Sequence, residues 1–171
     1  SVELPDNQID ELYDYAKSFV AANDGDLIET LFNVNLELYK NYEYVPGSTT
    51  NATTPFEVMR SKRGVCQDFA QLFVCIARLL GIPARYVCGY IFTGNTGMER
   101  AQSDASHAWV ELYLPKVGWR AFDPTNGVLP STGHVRVAYG RFYRDATPTD
   151  GTLYGDAEQT ALDIEVTVED A

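Results

Sequence analysis

The sequence predicts a single domain that mixes α-helices with antiparallel β-strands around one buried central helix. Helical hydrophobic spacing fills the first half of the chain, alternating spacing follows it, and one helical segment is apolar on nearly every side. At 171 residues the chain is long enough to bury a substantial core. We expect one domain over 1–171, with N-terminal helices over 5–40, a core over 54–147 and a C-terminal strand over 162–168.

The composition is that of a folded, acidic protein. With 13 Lys and Arg against 24 Asp and Glu, the formal net charge is −11, so the surface repels phosphate backbones and we expect no nucleic-acid partner. No run reaches the roughly 18 apolar residues that a membrane span needs. The chain opens at Ser1 without a basic and apolar leader. We expect a cytoplasmic protein with no membrane partner, trimmed from a longer chain.

Two amphipathic helices open the chain. The first follows Asp6 and Asn7, either of which can cap it, and the second follows Asp26, with Glu29 completing a capping-box pattern. Both are expected to pack on the core. The residues at helical spacing are Ile9, Leu12, Tyr13, Ala16 and Val20 in the first helix and Ile28, Leu31, Phe32, Asn35 and Leu38 in the second.

A surface loop and a short helix come next. Residues 41–53 are rich in Tyr, Thr, Asn and Gly without periodicity, which predicts a loop with one extended piece at 42–45. Thr54, Pro55 and Glu57 form a helix-start signal, because Thr can cap and Pro suits the first helical position. This short helix leads into the central one.

The central helix carries Cys66 on its first turn. Gly64 precedes it, and Gly81 with Pro83 marks its end. On a helical wheel the Cys66 side and the opposite side are both apolar, and only Gln67, Gln71 and Arg78 form a polar stripe. The Cys66 side holds Phe69, Ala70, Phe73, Ala77 and Leu80, and the opposite side holds Leu72, Cys75 and Leu79.

Cys66 occupies a position that favours reactivity. Free backbone N–H groups and the positive end of the helix dipole stabilise an anion there, and the thiolate is the nucleophilic form of cysteine. A lone cysteine is more often an inert core residue, and Cys75 and Cys88 are interpreted in that way. Three scattered cysteines do not make a disulfide framework. Two histidines without a Cys-x-x-Cys pair predict no metal site.

Three strands follow the central helix. They are predicted at 86–92, 107–114 and 118–123, the last two as an antiparallel hairpin. If Leu112 faces Gly118, then His107 falls directly opposite Asp123, about 5 Å away on the same face. An imidazole can be held by a carboxylate at that spacing. A slip of one residue would put the two on opposite faces.

Together these three residues suit thiol catalysis. Separately, a histidine at a strand start and an aspartate before Pro124 are ordinary structural residues. In combination, Cys66 serves as the nucleophile, His107 as base and then acid, and Asp123 as the group that orients the imidazole.

Four motifs resemble the bacterial transglutaminase-like family, which includes cysteine proteases. They cover residues 25–150 in unbroken order: Gly64-Val-Cys-Gln-Asp-Phe-Ala70, Gly81-Ile-Pro-Ala-Arg-Tyr-Val87 with Gly89-Tyr90, Asp104-Ala-Ser-His-Ala-Trp-Val110, and Gly118-Trp-Arg-Ala-Phe-Asp-Pro-Thr-Asn126. The resemblance implies a papain-like α+β fold, with the transglutaminase core's central helix packed against an antiparallel β-sheet. It carries the family's triad onto Cys66, His107 and Asp123.

The sequence departs from the family pattern in two places. Family members usually carry a β-rich domain before the catalytic one, so we expect such an N-terminal β domain in the full-length chain. The family tail resembles Gly-Arg-Asp-Tyr, whereas this chain has Phe142 at the aspartate position. His134, a little upstream, is interpreted as structural.

The expected activity is acyl transfer from an amide or peptide through a thioester on Cys66. Hydrolysis of a peptide or protein substrate is favoured, with transfer to an amine and a non-catalytic peptide-binding module as alternatives. No cofactor is expected, and no acidic loop has the spacing of a calcium site. The backbone N–H of Cys66 is the expected oxyanion donor. Loops 93–104 and 42–54 are expected to flank the cleft.

Overall fold

A computed structural model describes residues 4–92 and 106–147. Over these residues the helices are α1 (Asp6–Ala22), α2 (Leu27–Asn41), α3 (Pro55–Ser61) and α4 (Cys66–Leu79), with a 3₁₀ turn at Tyr143–Asp145. The strands are β1 (Glu43–Tyr44), β2 (Arg63–Gly64), β3 (Ala84–Ile91), β4 (His107–Leu114), β5 (Gly118–Phe122) and β6 (His134–Gly140). None of the helices in this part of the chain combines the length and the apolar character needed to cross a membrane.

The first two helices start differently from one another. At α2 the prediction is confirmed, because Oδ1 of Asp26 accepts a hydrogen bond from the backbone N–H of Glu29 at 2.9 Å. At α1 the predicted caps are wrong, since the helix begins directly after Pro5 and no side chain caps it. Asp6 and Asn7 are instead the first two residues inside the helix.

A short parallel strand pair leads the chain into α4. Strand β1 confirms the extended piece predicted at 42–45, and it pairs with β2 so that Glu43 faces Arg63. The carboxylate of Glu43 lies 3.1 Å from Nε of Arg63.

The predicted start of α3 is confirmed as well, because Thr54 and Glu57 each accept a hydrogen bond from the other's backbone N–H. These contacts fix the direction in which the chain enters α4.

Helix α4 is the centre of the hydrophobic core. Its polar stripe of Gln67, Gln71 and Arg78 stays partly exposed, as predicted, and Gly81 ends the helix with a φ of 78°. Helices α1, α2 and α3 and two strands of the sheet, β3 and β4, all pack against α4. The fully buried side chains of α4 are Phe69, Ala70, Leu72, Phe73, Ile76 and Ala77.

Within the described residues, the main sheet has four antiparallel strands in the order β5-β4-β3-β6. Buried side chains on one face, among them Val110 and Leu112 of β4 and Phe122 of β5, belong to the same core as α4. The predicted α+β fold, with a central helix packed against an antiparallel sheet, is therefore confirmed. The C-terminal strand predicted at 162–168 lies outside the described residues.

The β4–β5 hairpin is present, but its predicted register is wrong by two residues. Leu114 faces Gly118, whereas the prediction places Gly118 opposite the residue two positions earlier. The chain reverses within residues 115–117, where Lys116 has a φ of 65°, so the strands pair up to the turn itself. A shift of two residues preserves the faces of a strand. His107 and Asp123 consequently still meet on one side of the sheet.

Candidate active site

The first residue of α4 is Cys66, and its side chain is half-buried. The first N–H groups of a helix have no acceptor within the helix, so those at the start of α4 surround the Cys66 sulfur with positive partial charge. Burial raises the pKa of the neighbouring Tyr44 to about 12, and the electrostatic effect of Cys66 also raises the pKa of Tyr44. Segment 42–54, which contains Tyr44, thus packs beside Cys66.

The start of α4 is anchored by Asp68. This carboxylate is 1% exposed, and its Oδ2 accepts hydrogen bonds from the backbone N–H of Val65 at 2.8 Å and from Oγ1 of Thr49 at 2.6 Å. Burial raises the pKa of Asp68, although both hydrogen bonds act against that rise. Asp68 therefore satisfies one free N–H of the turn that carries Cys66 and joins that turn to segment 42–54.

His107, the first residue of β4, lies between Cys66 and Asp123. Its Nε2 is 2.9 Å from Oδ2 of Asp123. A carboxylate can only accept, so Nε2 carries the hydrogen and Nδ1 is left for the sulfur of Cys66, with which His107 also interacts. Burial alone would lower the pKa of His107, but the hydrogen bonds to Asp123 and Cys66 outweigh it and raise the pKa to about 10.

Asp123 is fully buried and follows β5 directly. Its Oδ1 accepts hydrogen bonds from the backbone N–H groups of Thr125 and Asn126, and its Oδ2 accepts from the side-chain amide of Asn126 at 2.8 Å. Burial would raise the pKa of this carboxyl, but hydrogen bonds from His107 and His134 hold the pKa well below its usual range. Asp123 is thus a fixed buried anion beside the His107 ring.

The residue that sequence reasoning missed is His134. The sequence predicts a structural role for it, yet its Nε2 lies 3.0 Å from the same Oδ2 of Asp123 that His107 contacts. His134 is the first residue of β6, a strand that was not predicted, and β6 pairs with β3. Alternation of apolar and polar residues over 134–137 was the available signal for a strand there.

The grouping of two imidazoles and one carboxylate corrects the expectation that no cluster of metal-ligand type forms. Atoms of His107, Asp123 and His134 lie within 4.8 Å of one another, because β6 folds back onto β3. The short contacts in this group run from two ring nitrogens to one carboxylate oxygen and have hydrogen-bond lengths. That arrangement suits a catalytic histidine held by an aspartate, and the absence of a metal requirement stays a prediction.

The other two cysteines lie in the core, as predicted. Cys88 is 4% exposed, and Cys75 is partly buried against the core. Burial raises the pKa of the Cys75 thiol to about 11 and raises that of Cys88 as well. Both thiols are therefore poorer nucleophiles than a cysteine with an imidazole partner. Loop 93–104, expected to flank the cleft, lies outside the described residues.

A cavity of about 550 Å³ lies beside α4, and Cys66, His107 and Asp123 do not line it. Its wall includes Cys75 and Phe142, the residue that departs from the family pattern. The ring of Phe142 packs under the guanidinium of Arg78 at 4.9 Å. Phe142 therefore contributes to packing at the far half of α4.

The sequence profile of the transglutaminase-like superfamily matches residues 13–124. A protein of Mycobacterium tuberculosis is 36% identical over 148 residues, which cover 83% of this chain and 47% of that relative. The chain thus spans about half the length of the curated relatives of this kind.

The crystal structure of a provisionally assigned cysteine protease from Cytophaga hutchinsonii matches with a TM-score of 0.65 and 31% identity, covering 85% of this chain and 51% of that one. A protein-glutamine γ-glutamyltransferase of Pseudomonas aeruginosa is 38% identical over 74 residues, which cover 41% of this chain and 11% of that relative. The part of the chain that the superfamily profile matches includes Cys66, His107 and Asp123.

Proposed function

The chain belongs to the transglutaminase-like superfamily, and from that premise we propose that Cys66, His107 and Asp123 form the triad of a thiol enzyme that transfers acyl groups. The observation that carries the proposal is the position of His107, with Nε2 bonded at 2.9 Å to a buried aspartate and the other side of its ring toward Cys66. A nucleophile, a base and a group that orients the base are the components of this chemistry.

The first step is activation of the thiol. Nδ1 of His107 takes the proton of Cys66, which leaves a thiolate beside an imidazolium. Asp123 stabilises the imidazolium through its hydrogen bond to Nε2, and it stays ionised because the five hydrogen bonds to its carboxylate outweigh the cost of its burial. The start of α4 favours the negative sulfur through its free N–H groups and its dipole.

The second step is formation of a thioester. The Cys66 sulfur attacks the carbonyl carbon of an amide or peptide, and the backbone N–H of Cys66 donates to the oxygen that becomes negative. His107 then gives its proton to the departing amine as the C–N bond breaks. The products of this half-reaction are a free amine and an acyl group bound to Cys66.

The acceptor that resolves the thioester decides the reaction class. We favour water, which makes the protein a peptidase or amidase, and the similar Cytophaga protein supports that choice. Transfer to a primary amine is the second candidate, since the similar Pseudomonas protein is a protein-glutamine γ-glutamyltransferase. A purely peptide-binding role fits less well, because it needs no aspartate-held imidazole beside the cysteine.

One experiment separates these outcomes. The protein is incubated with a library of peptides with acetylated N-termini in water enriched in ¹⁸O, with excess cadaverine, and the products are read by mass spectrometry. Hydrolysis adds ¹⁸O to a new carboxyl group, whereas transfer adds cadaverine. We expect ¹⁸O products that disappear in Cys66→Ala. Products that persist in Cys66→Ala, or peptide binding without either product, would overturn the proposal of a thioester enzyme.

A further inference from the structure

His134 places a second imidazole on Asp123, and no step of the proposed mechanism uses it. We propose that His134 is a positioning residue: it shares one carboxylate oxygen of Asp123 with His107 and thereby limits how strongly Asp123 holds the proton of His107. This inference rests on the proposed function, because His134 would affect Cys66 and His107 only through its contact with Asp123.

The hydrogen-bond geometry supports sharing of one oxygen. Nε2 of His134 lies 3.0 Å from Oδ2, and Nε2 of His107 lies 2.9 Å from the same atom. The carboxylate only accepts, so His134 must also carry its hydrogen on Nε2. Its Nδ1 is buried and has no hydrogen-bond partner in the described part of the chain. A second N–H at Nδ1 would lack an acceptor, so the neutral Nε2–H tautomer fits the site.

Packing holds the two imidazoles in fixed positions. The ring of Trp109 stacks on His107 with centroids 6.1 Å apart and meets the ring of His134 edge-on at 5.3 Å. Trp109 is 2% exposed, and the side chain of His134 is also 2% exposed. His107, Trp109 and His134 therefore form one dry layer over Asp123, in which a hydrogen bond is stronger than in water.

The sheet connects this layer to an edge strand. His134 begins β6, which pairs with β3 and lies at the edge of the four-stranded sheet formed by the described residues. His134 pairs with Ile91 of β3, and Gly89, also in β3, lies opposite His107 on β4. The position of β6 therefore sets the distance from His134 to Asp123.

His107 and His134 compete for Oδ2 of Asp123. A hydrogen bond from His134 withdraws charge from that oxygen and makes it a weaker acceptor for His107. Within the described ranges, the titratable groups acting on His107 are Asp123 and Cys66, and those bonded to Asp123 are His107 and His134. Removing the His134 donor should therefore make Asp123 hold the His107 proton more tightly.

The test is an NMR titration of the two histidines, which are the only two in the sequence. The wild type is compared with His134→Leu, which removes the donor, and with His134→Gln, which keeps an N–H donor at similar reach. We expect the pKa of His107 to rise by about one unit in His134→Leu, equivalent to about tenfold in proton affinity, and to return toward the wild-type value in His134→Gln. A merely structural role would lower stability without this shift.

The outcomes separate this inference from the proposed function. An unchanged or lower His107 pKa in His134→Leu, or the same value in both variants, would overturn the inference while leaving the triad in place. Iodoacetamide labelling of Cys66 in the same samples tests the triad itself, since an unreactive wild-type Cys66 would overturn the proposed function whatever the histidines do.

A second measurement covers the case in which His134→Leu does not fold. Long-range ¹H–¹⁵N spectra of the wild type, labelled with ¹⁵N-histidine, identify the protonated nitrogen of each ring. We expect a slowly exchanging Nε2–H on His134. An Nδ1–H tautomer, or an Nε2–H that exchanges rapidly with water, would contradict the proposed bond to Asp123.

Discussion

Replacing Gly89 with alanine should both destabilise the protein and separate His134 from Asp123. Gly89 is buried between His107 on β4 and Arg136 on β6. A Cβ built on Gly89 would lie 2.0 Å from the backbone oxygen of Val135 and would also overlap the Trp109 ring. Val135 belongs to β6, so rotating a flexible side chain cannot relieve this overlap.

The magnitude follows from these distances. Ordinary carbon–oxygen contacts are about 3.3 Å or longer, so β6 must move by about 1 Å or more. A movement of that size next to His134 stretches its 3.0 Å contact with Asp123 beyond the length of a hydrogen bond. Overpacking a buried site costs about 1–3 kcal/mol, and the lost buried hydrogen bond adds to this. We expect a loss of about 3 kcal/mol or more.

The assay is urea unfolding followed by tryptophan fluorescence, with Gly133→Ala as the matched control. A Cβ at Gly133 would meet only the backbone oxygen of Phe92, at an ordinary 3.6 Å, so we expect a change within about 1 kcal/mol there. If Gly89→Ala matched the wild type in stability, the close approach of β3 and β6 would be refuted. His134 would then not be held in the place described.

Three further predictions concern the anchor, the pH and metals. Asp68→Ala should cost about 1–3 kcal/mol, because the Val65 N–H loses its buried acceptor, whereas Asp68→Asn, which can still accept, should cost less in the same urea assay. The pKa of His107 is raised from 6.5 to about 10, so the stabilising effect of this residue is complete below pH 6.5 and is lost as the pH rises through 10. The free energy of unfolding, measured by urea unfolding at several pH values, should therefore fall over that window. It should fall less in His107→Gln. Chelation by EDTA should leave iodoacetamide labelling of Cys66 unchanged, and a loss that zinc or calcium restores would contradict the prediction of no metal requirement.

Local signals predicted much of the fold. The capping box of Thr54 and Glu57 and the bounds of β4 follow from side-chain chemistry and alternation within a few residues. The faces of the β4–β5 hairpin were also correct, because strand alternation sets them, even though the tight turn shifts the pairing by two residues. Such features depend on neighbours in sequence.

Neighbours in sequence do not predict that His134 contacts Asp123. Its contact with Asp123 depends on β6 crossing to the far edge of the sheet and pairing with β3, a long-range choice that spacing does not determine. The approach of β6 depends in turn on the missing side chain at Gly89. A histidine that is ordinary in sequence therefore becomes part of the site only through tertiary structure.

The most direct test of the central claim is the rate of Cys66 alkylation by iodoacetamide at pH 6, resolved by peptide mass. Cys75 and Cys88 serve as internal controls, because burial raises the pKa of both thiols. A thiolate paired with imidazolium should react at least about 100-fold faster than either control, and His107→Gln should slow it about tenfold or more. Labelling of Cys66 at the rate of the controls, or a rate that His107→Gln leaves unchanged, would contradict the triad.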